Sequence, residues 1–236
     1  MTSSMATART TGLLYLGVAV TGMFGFLLIR PEIYVVGDAA ATYANLVERE
    51  MLARLGVAFE FLVVLTQALA AVWFYKLFRS VSATAAGALM AFGLINSTAV
   101  LASSAFLVTA LGVALDPALA PGGDAAATVQ LMYELSGAFW GVGALFFGLW
   151  LIPMGHLVRA SRWMPRPLAW ILVGGGVGYI LSAFVVYLIP GAPDSLELAL
   201  TLLATVGEFW MIGYLLVKGV RSDVALHTTV PEQVPV

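Results

Sequence analysis

The chain contains no cysteine. That excludes disulfides, thiolate metal centres and a cysteine nucleophile. Its two histidines, His156 and His227, are too few for a His-rich zinc or bis-histidine haem site, so no cofactor is expected. Charge is also scarce: Asp, Glu, Lys and Arg make up 10% of 236 residues, against roughly 25% in an ordinary soluble domain. With a formal net charge of -2 and 11 Lys+Arg in all, there is no basic face able to neutralise several phosphates, which excludes nucleic acid as a partner. Catalytic signatures are missing too: the chain has no G-x-S-x-G elbow, H-E-x-x-H, P-loop or C-x-x-C. Ser136 beside Gly137 has no histidine at its depth, because His156 lies roughly 30 Å further along the same helix. His156 reads instead as a cap at the inner end of that helix, where positive charge meets the helix C-terminus and lipid phosphates.

What the chain does hold is apolar sequence. Hydrophobic residues make up 61% and mean hydropathy is +0.97, the composition of a polytopic membrane protein. Six apolar segments, near 11–30, 53–75, 84–112, 128–155, 167–190 and 197–218, each approach or exceed the roughly 20 residues needed to cross a bilayer. Such segments must satisfy their backbones internally and are far longer than barrel strands of about 9 to 11 residues. The expected fold is all-α, a single bundle of six transmembrane helices over 11–221. Residues 1–10 form a cytoplasmic N-terminal tail and 222–236 a disordered cytoplasmic tail. The first segment exceeds the apolar run of a cleavable signal and is expected to be retained, although Ala39 to Ala41 can imitate a cleavage site.

Orientation follows from lysine and arginine. Arg9, Lys76, Arg79, Arg159, Arg162, Arg166, Lys218 and Arg221 fall on one side of this threading, and Arg30, Arg49 and Arg54 on the other. This bias places both termini in the cytoplasm. Trp73, Tyr75, Trp150, Trp163 and Trp170 are expected as anchors at the inner interface. Outside, Asp38 is a candidate N-cap for a short interfacial helix in the Gly37 to Arg54 connection, while Pro and Gly break the chain across Asp116 to Asp124.

Against this background the polar residues inside the spans stand out. Glu60, Glu134 and Glu208 recur at equal spacing, but aligning AFEF, MYEL and VGEF yields little further identity. An ionisable group in hydrocarbon is costly and often marks an ion or substrate path. At 1.5 Å per residue, Glu60 and Glu134 should lie roughly 8 Å below the outer interface and Glu208 near the midplane. Helical spacing aligns Gln67 with Glu60, Thr201 and Thr205 with Glu208, and Ser103 with Asn96, while Ser182 follows Gly178 by one turn. These residues form a candidate polar pocket. No cation lies in the interior of a span, away from its ends, so the carboxylates must be protonated, bonded to neutral groups, neutralised by a bound cation, or reached by Arg54 at the rim. Gly137, Gly141, Gly174 and Gly178 have the spacing for close contact between the fourth and fifth helices, with a homodimer seam as the alternative use.

Four stretches carry a family resemblance: ARTTGLLYLGV in the first helix, GDAAATYANL with RLG before the second, FFGLWLIPMGHLVRASRWMPRPLAWILVGGGVGYI, and GEFWMIGYLLVKGVR. The chain resembles the bacterial domain-of-unknown-function family 4386 over nearly its whole length. The resemblance implies a multi-spanning protein of the bacterial cytoplasmic (inner) membrane and brings no activity, substrate or catalytic residue with it. The function expected from the residues is transport or binding of a proton, cation or small polar solute at an outward-facing carboxylate pocket. A non-catalytic membrane assembly or stress-response component is the alternative, and a membrane-embedded enzyme acting on lipid the third. Membrane lipid is the expected partner in every case.

Overall fold

The structure, a computed structural model, describes residues 2–220, so the expected tail at 222–236 and Arg221 lie outside the described residues. Among the described residues there is no strand. The helices are α1 (Thr2–Gly22), α2 (Arg30–Ile33), α3 (Ala39–Glu48), α4 (Glu50–Phe78), α5 (Ala83–Leu115), α6 (Ala125–Ser161), α7 (Arg166–Leu188) and α8 (Asp194–Val217). A π-helical segment, Met23–Ile29, joins α1 to α2 in one rod. With α4 to α8, that rod makes six helices long and apolar enough to cross a membrane. At 1.5 Å per residue α6 is roughly 55 Å long, well beyond a ~30 Å hydrocarbon core, so it tilts or projects.

Local chemistry sets the helix ends. Asp38, Ser82 and Asp124 each accept a hydrogen bond from a backbone N–H in the first turn of α3, α5 and α6. The expected interfacial helix after Asp38 is therefore present as α3. Between α5 and α6 the chain turns through two short 3₁₀ segments, with Gly122 and Gly123 in the left-handed region that favours glycine. Helix α1 starts at Thr2 rather than at 11. His156 is not a cap, because α6 continues to Ser161 and leaves it exposed within the helix.

The spans close into a ring in the order α1, α4, α5, α6, α7, α8, and the seam returning from α8 to α1 is the sparsest. Outward the ring presents leucine, valine and aromatic side chains such as Leu65, Leu202 and Trp170, an apolar belt that only lipid can solvate. Inward, Tyr15, Phe74 and Trp150 meet edge to face or tilted at 5.4 to 5.9 Å and fill the half of the bundle away from α3. Trp150 is 1% exposed and belongs to this core, not to the interface where sequence places it. Gly93 of α5 leaves the space that the Trp150 ring occupies.

Helices α6 and α7 are neighbours, as expected, but of the four expected glycines only Gly141 faces the other helix, and the closest approaches use others. Gly148 lies against the carbonyl of Gly176, and Gly155 against that of Ala169. Gly174 and Gly178 face α8 instead, at Leu203 and at the Leu200 carbonyl. Gly137 makes room for the Arg30 guanidinium, and Gly141 faces the Tyr187 hydroxyl at ordinary contact distance. A one-residue change of register turns a helical side chain by about 100°, so spacing can show that small residues share a face without showing which neighbour that face meets.

Candidate functional site

Arg30 is the cation that sequence places in the outer connection. Here it lies within the first span and turns inward. Its Nη1 donates to Ser136 Oγ at 2.9 Å and its Nη2 to the Tyr133 carbonyl. The guanidinium lies 5.4 to 5.6 Å from the ring centres of Phe26, Tyr34 and Tyr133, a cation–π surround. Ser136 and Ser103 hydroxyls meet at 2.8 Å, and Ser103 donates to the Glu60 carboxylate at 3.0 Å. Each hydroxyl has one proton, so the direction of the chain is fixed: Arg30 donates to Ser136, Ser136 to Ser103, and Ser103 to Glu60. The Trp140 indole N–H donates to the same carboxylate at 3.0 Å. Glu60, 2% exposed, thus has its charge balanced through two hydroxyls that polarise one another in a low-dielectric interior.

The π-helical segment makes this possible. A helix bonded i to i+5 holds an extra residue per turn and rotates everything after it relative to a regular α-helix. That rotation turns Arg30 toward α6. The segment also approaches α4 closely, because a Cβ on Gly25 would lie 3.1 Å from Phe59 and one on Gly56 would lie 3.1 Å from Ile29. Arg54, the expected rim cation, reaches no intramembrane glutamate and pairs with Glu50 at 2.7 Å on the exposed surface.

Glu208 occupies a different site. Its Oε1 accepts a 2.5 Å hydrogen bond from the Tyr15 hydroxyl, which edge-to-face packing on Phe74 holds in place. Among the described residues its other oxygen has no protein partner, and the side chain borders a cavity of about 330 Å³ between α1, α4, α6 and α8. The rest of that cavity is almost wholly apolar. Trp140 and Phe147, stacked at 6.3 Å, form one wall, and Phe209 with Leu27 stands at the rim on the sparse α8–α1 seam. The far side of the Trp140–Phe147 wall faces a second cavity of about 350 Å³ that includes Ser182, Tyr187 and Glu197. Trp140 therefore touches both systems: its N–H holds Glu60 and its ring lines the Glu208 cavity.

The nine residues expected to close around one pocket divide. Glu60 and Ser103 are bonded to each other, while Glu208 and Thr205 share the apolar cavity. Ser182 lines the second cavity with its hydroxyl bonded back to Tyr179. Asn96 donates to the Gly143 carbonyl at 3.1 Å and tethers α5 to α6, but its Oδ1 and the Oε1 of buried Gln67 have no partner. Thr201 and Thr205 turn their hydroxyls to their own helix backbone. Glu134 is exposed and takes a 3.3 Å bond from Gln130, so the three glutamates do not converge. Its charge acts on Tyr34, whose hydroxyl burial first, and then Glu134, holds above the usual tyrosine range. Sequence reading passes over Arg30, Tyr15 and Trp140, since a cation closing an apolar run reads as a loop and aromatics inside a span read as filling.

Residues 10–219 match the family described as Domain of unknown function (DUF4386), and the chain belongs to that family. No curated protein and no solved structure matched the chain.

Proposed function

We propose that this member of the family binds, and carries across the bacterial cytoplasmic membrane, a small solute or cation taken up at the Glu208 carboxylate. The observation that carries the reading is a carboxylate in the middle of the bundle, bonded to one tyrosine hydroxyl, with its other oxygen unpartnered beside a cavity and no lysine or arginine against it among the described residues. Such a group is tolerated in hydrocarbon when it holds a proton or a bound cation. Exchanging one for the other leaves the charge inside the bundle unchanged, which is what electroneutral exchange of a proton for a cation needs. Glu60 has a different part. Balanced by Arg30 and tied to α5 and α6, it acts as a clamp that holds the first span and the cavity wall in register.

The test is infrared difference spectroscopy of the purified protein. The carboxylic acid C=O band of Glu208 should lose intensity as pH rises and should be missing from Glu208→Gln. The titratable groups facing it are Tyr15 of α1 and Tyr179 of α7, so Tyr15→Phe should move the midpoint without removing the band. A spectrum in which no pH-dependent band is lost with Glu208→Gln would sink the reading.

Both termini are cytoplasmic in this proposal. With Arg30 inside the bundle, the cations at the α3 end are Arg49 and Arg54, and each is paired with a glutamate. With Arg30 gone from the outer count, two cations stand at that end against the eight that sequence places at the other, which sharpens the positive-inside bias. Reporter fusions after Arg79 and Arg162 should read as cytoplasmic, and fusions within 37–49 or after Asp124 as external. One reproducible reversal would refute this orientation.

A further inference from the structure

We infer that the solute of the Glu208 cavity is a lipophilic organic cation, an amine or quaternary ammonium on an aryl or alkyl body, that enters from the bilayer between α8 and α1. The inference rests on the Glu208 reading and narrows it to a ligand class. Four of the thirteen residues around the cavity carry a side-chain polar hydrogen-bonding group: Tyr15, Trp140, Thr205 and Glu208. Three are already engaged. The Tyr15 hydroxyl donates to Glu208, the Trp140 N–H to Glu60, and the Thr205 hydroxyl turns back to the Thr201 carbonyl. Every donor is therefore taken, and the free carboxylate oxygen is the one charged acceptor left for a guest.

That inventory excludes whole classes of solute. A calcium or magnesium ion needs about six or more oxygen ligands, and among the described residues no cluster of three metal-ligating side chains exists. A sugar or amino acid would bury hydroxyl, carboxylate or amide groups against apolar walls with no partner, at a cost for each. One positive centre on an apolar body leaves nothing unsatisfied. The walls suit it, since Tyr15, Trp140, Phe147 and Phe209 line the cavity with aromatic rings, and a desolvated cation is attracted to aromatic side chains. The volume lies at the lower end of the range for small-molecule sites. The doorway agrees: Leu27 and Phe209 at the rim are 64% and 57% exposed on the lipid-facing side, so a guest reaches Glu208 from hydrocarbon. A lipophilic amine partitions there, whereas a phospholipid keeps its head group at the interface, away from a mid-bundle carboxylate.

Benzyltrimethylammonium and its uncharged isostere neopentylbenzene differ in charge and little in shape. Binding of each to the full-length protein in an uncharged detergent is read by tryptophan fluorescence and by thermal unfolding. The cation should bind and stabilise the wild type. It should bind about tenfold or more weakly to Glu208→Gln, a change that neopentylbenzene does not share. Phe209→Leu keeps the carboxylate and should weaken the cation more than the isostere, so the proposal stays testable if Glu208→Gln does not fold. Equal binding of cation and isostere, or undiminished binding of the cation to Glu208→Gln, overturns the ligand class. So does an aminophospholipid that co-purifies with the wild type but not with Glu208→Gln while benzyltrimethylammonium fails to bind. The readouts separate the two proposals. An infrared band that titrates without cation binding overturns only the ligand class, and a silent band with Glu208-dependent cation binding overturns only the exchange reading.

Discussion

Replacing Arg30 with methionine lowers the stability of the bundle by about 1 to 3 kcal/mol, the usual cost of leaving a buried hydrogen-bonding group without its partner. Methionine keeps much of the aliphatic stem and removes the guanidinium. Ser136 then loses its charged donor, and the Ser103–Glu60 end of the chain carries a buried negative charge with nothing to balance it. The loss lies in the stranded carboxylate more than in the missing bonds, so it should be largely recoverable. Arg30→Met combined with Glu60→Gln should regain most of the lost stability, because the amide is neutral and can still accept from Ser103 and Trp140. Equilibrium unfolding in mixed micelles measures both. A single variant within about 1 kcal/mol of wild type would mean that Arg30 leaves the network at little cost and that Glu60 is balanced in another way.

Two alanine substitutions in the glycine-rich helices should have clearly different effects. A Cβ at Gly178 overlaps the backbone carbonyl of Leu200, which cannot move without shifting α8. Gly178→Ala should therefore cost about 1 to 3 kcal/mol or more, as overpacking does, and should disturb the Glu208 cavity through α8. Gly141→Ala meets only the Tyr187 hydroxyl, at 3.4 Å, and should be neutral or stabilising by about 0.5 to 1 kcal/mol, the helical gain of alanine over glycine. If the two variants unfold alike, close approach of α7 to α8 does not limit the fold. The comparison is informative because spacing alone gives both glycines the same role.

The arrangement also shows how a polar network and an apolar cavity can adjoin in one small bundle. Glu60 and Glu208 are separated by Trp140, whose N–H serves the first and whose ring walls the second.

Much of the architecture was legible in the sequence. Six spans, an all-helical bundle, the Asp38 cap before α3 and the break across 116–124 follow from local rules: hydrocarbon thickness, backbone satisfaction, capping and the conformational preferences of glycine and proline. These depend on residues near one another in the chain. Placing Glu60 with Ser103, and leaving Glu134 at the surface, depends on the rotation of each helix about its axis. In water that rotation is written as a stripe of apolar residues facing the core. In a bilayer the outward face is apolar as well, so the stripe disappears and glutamates at identical spacing can face an interior, a cavity or the surface. Arg30 makes the same point more sharply: it ends an apolar run and reads as the start of a loop, yet a π-helical segment turns it into the bundle. Sequence determined how many helices are long and apolar enough to cross a membrane and roughly where each lies. Tertiary structure alone decided which way each helix turns, and with it which carboxylate is balanced by a cation and which is left free beside a cavity.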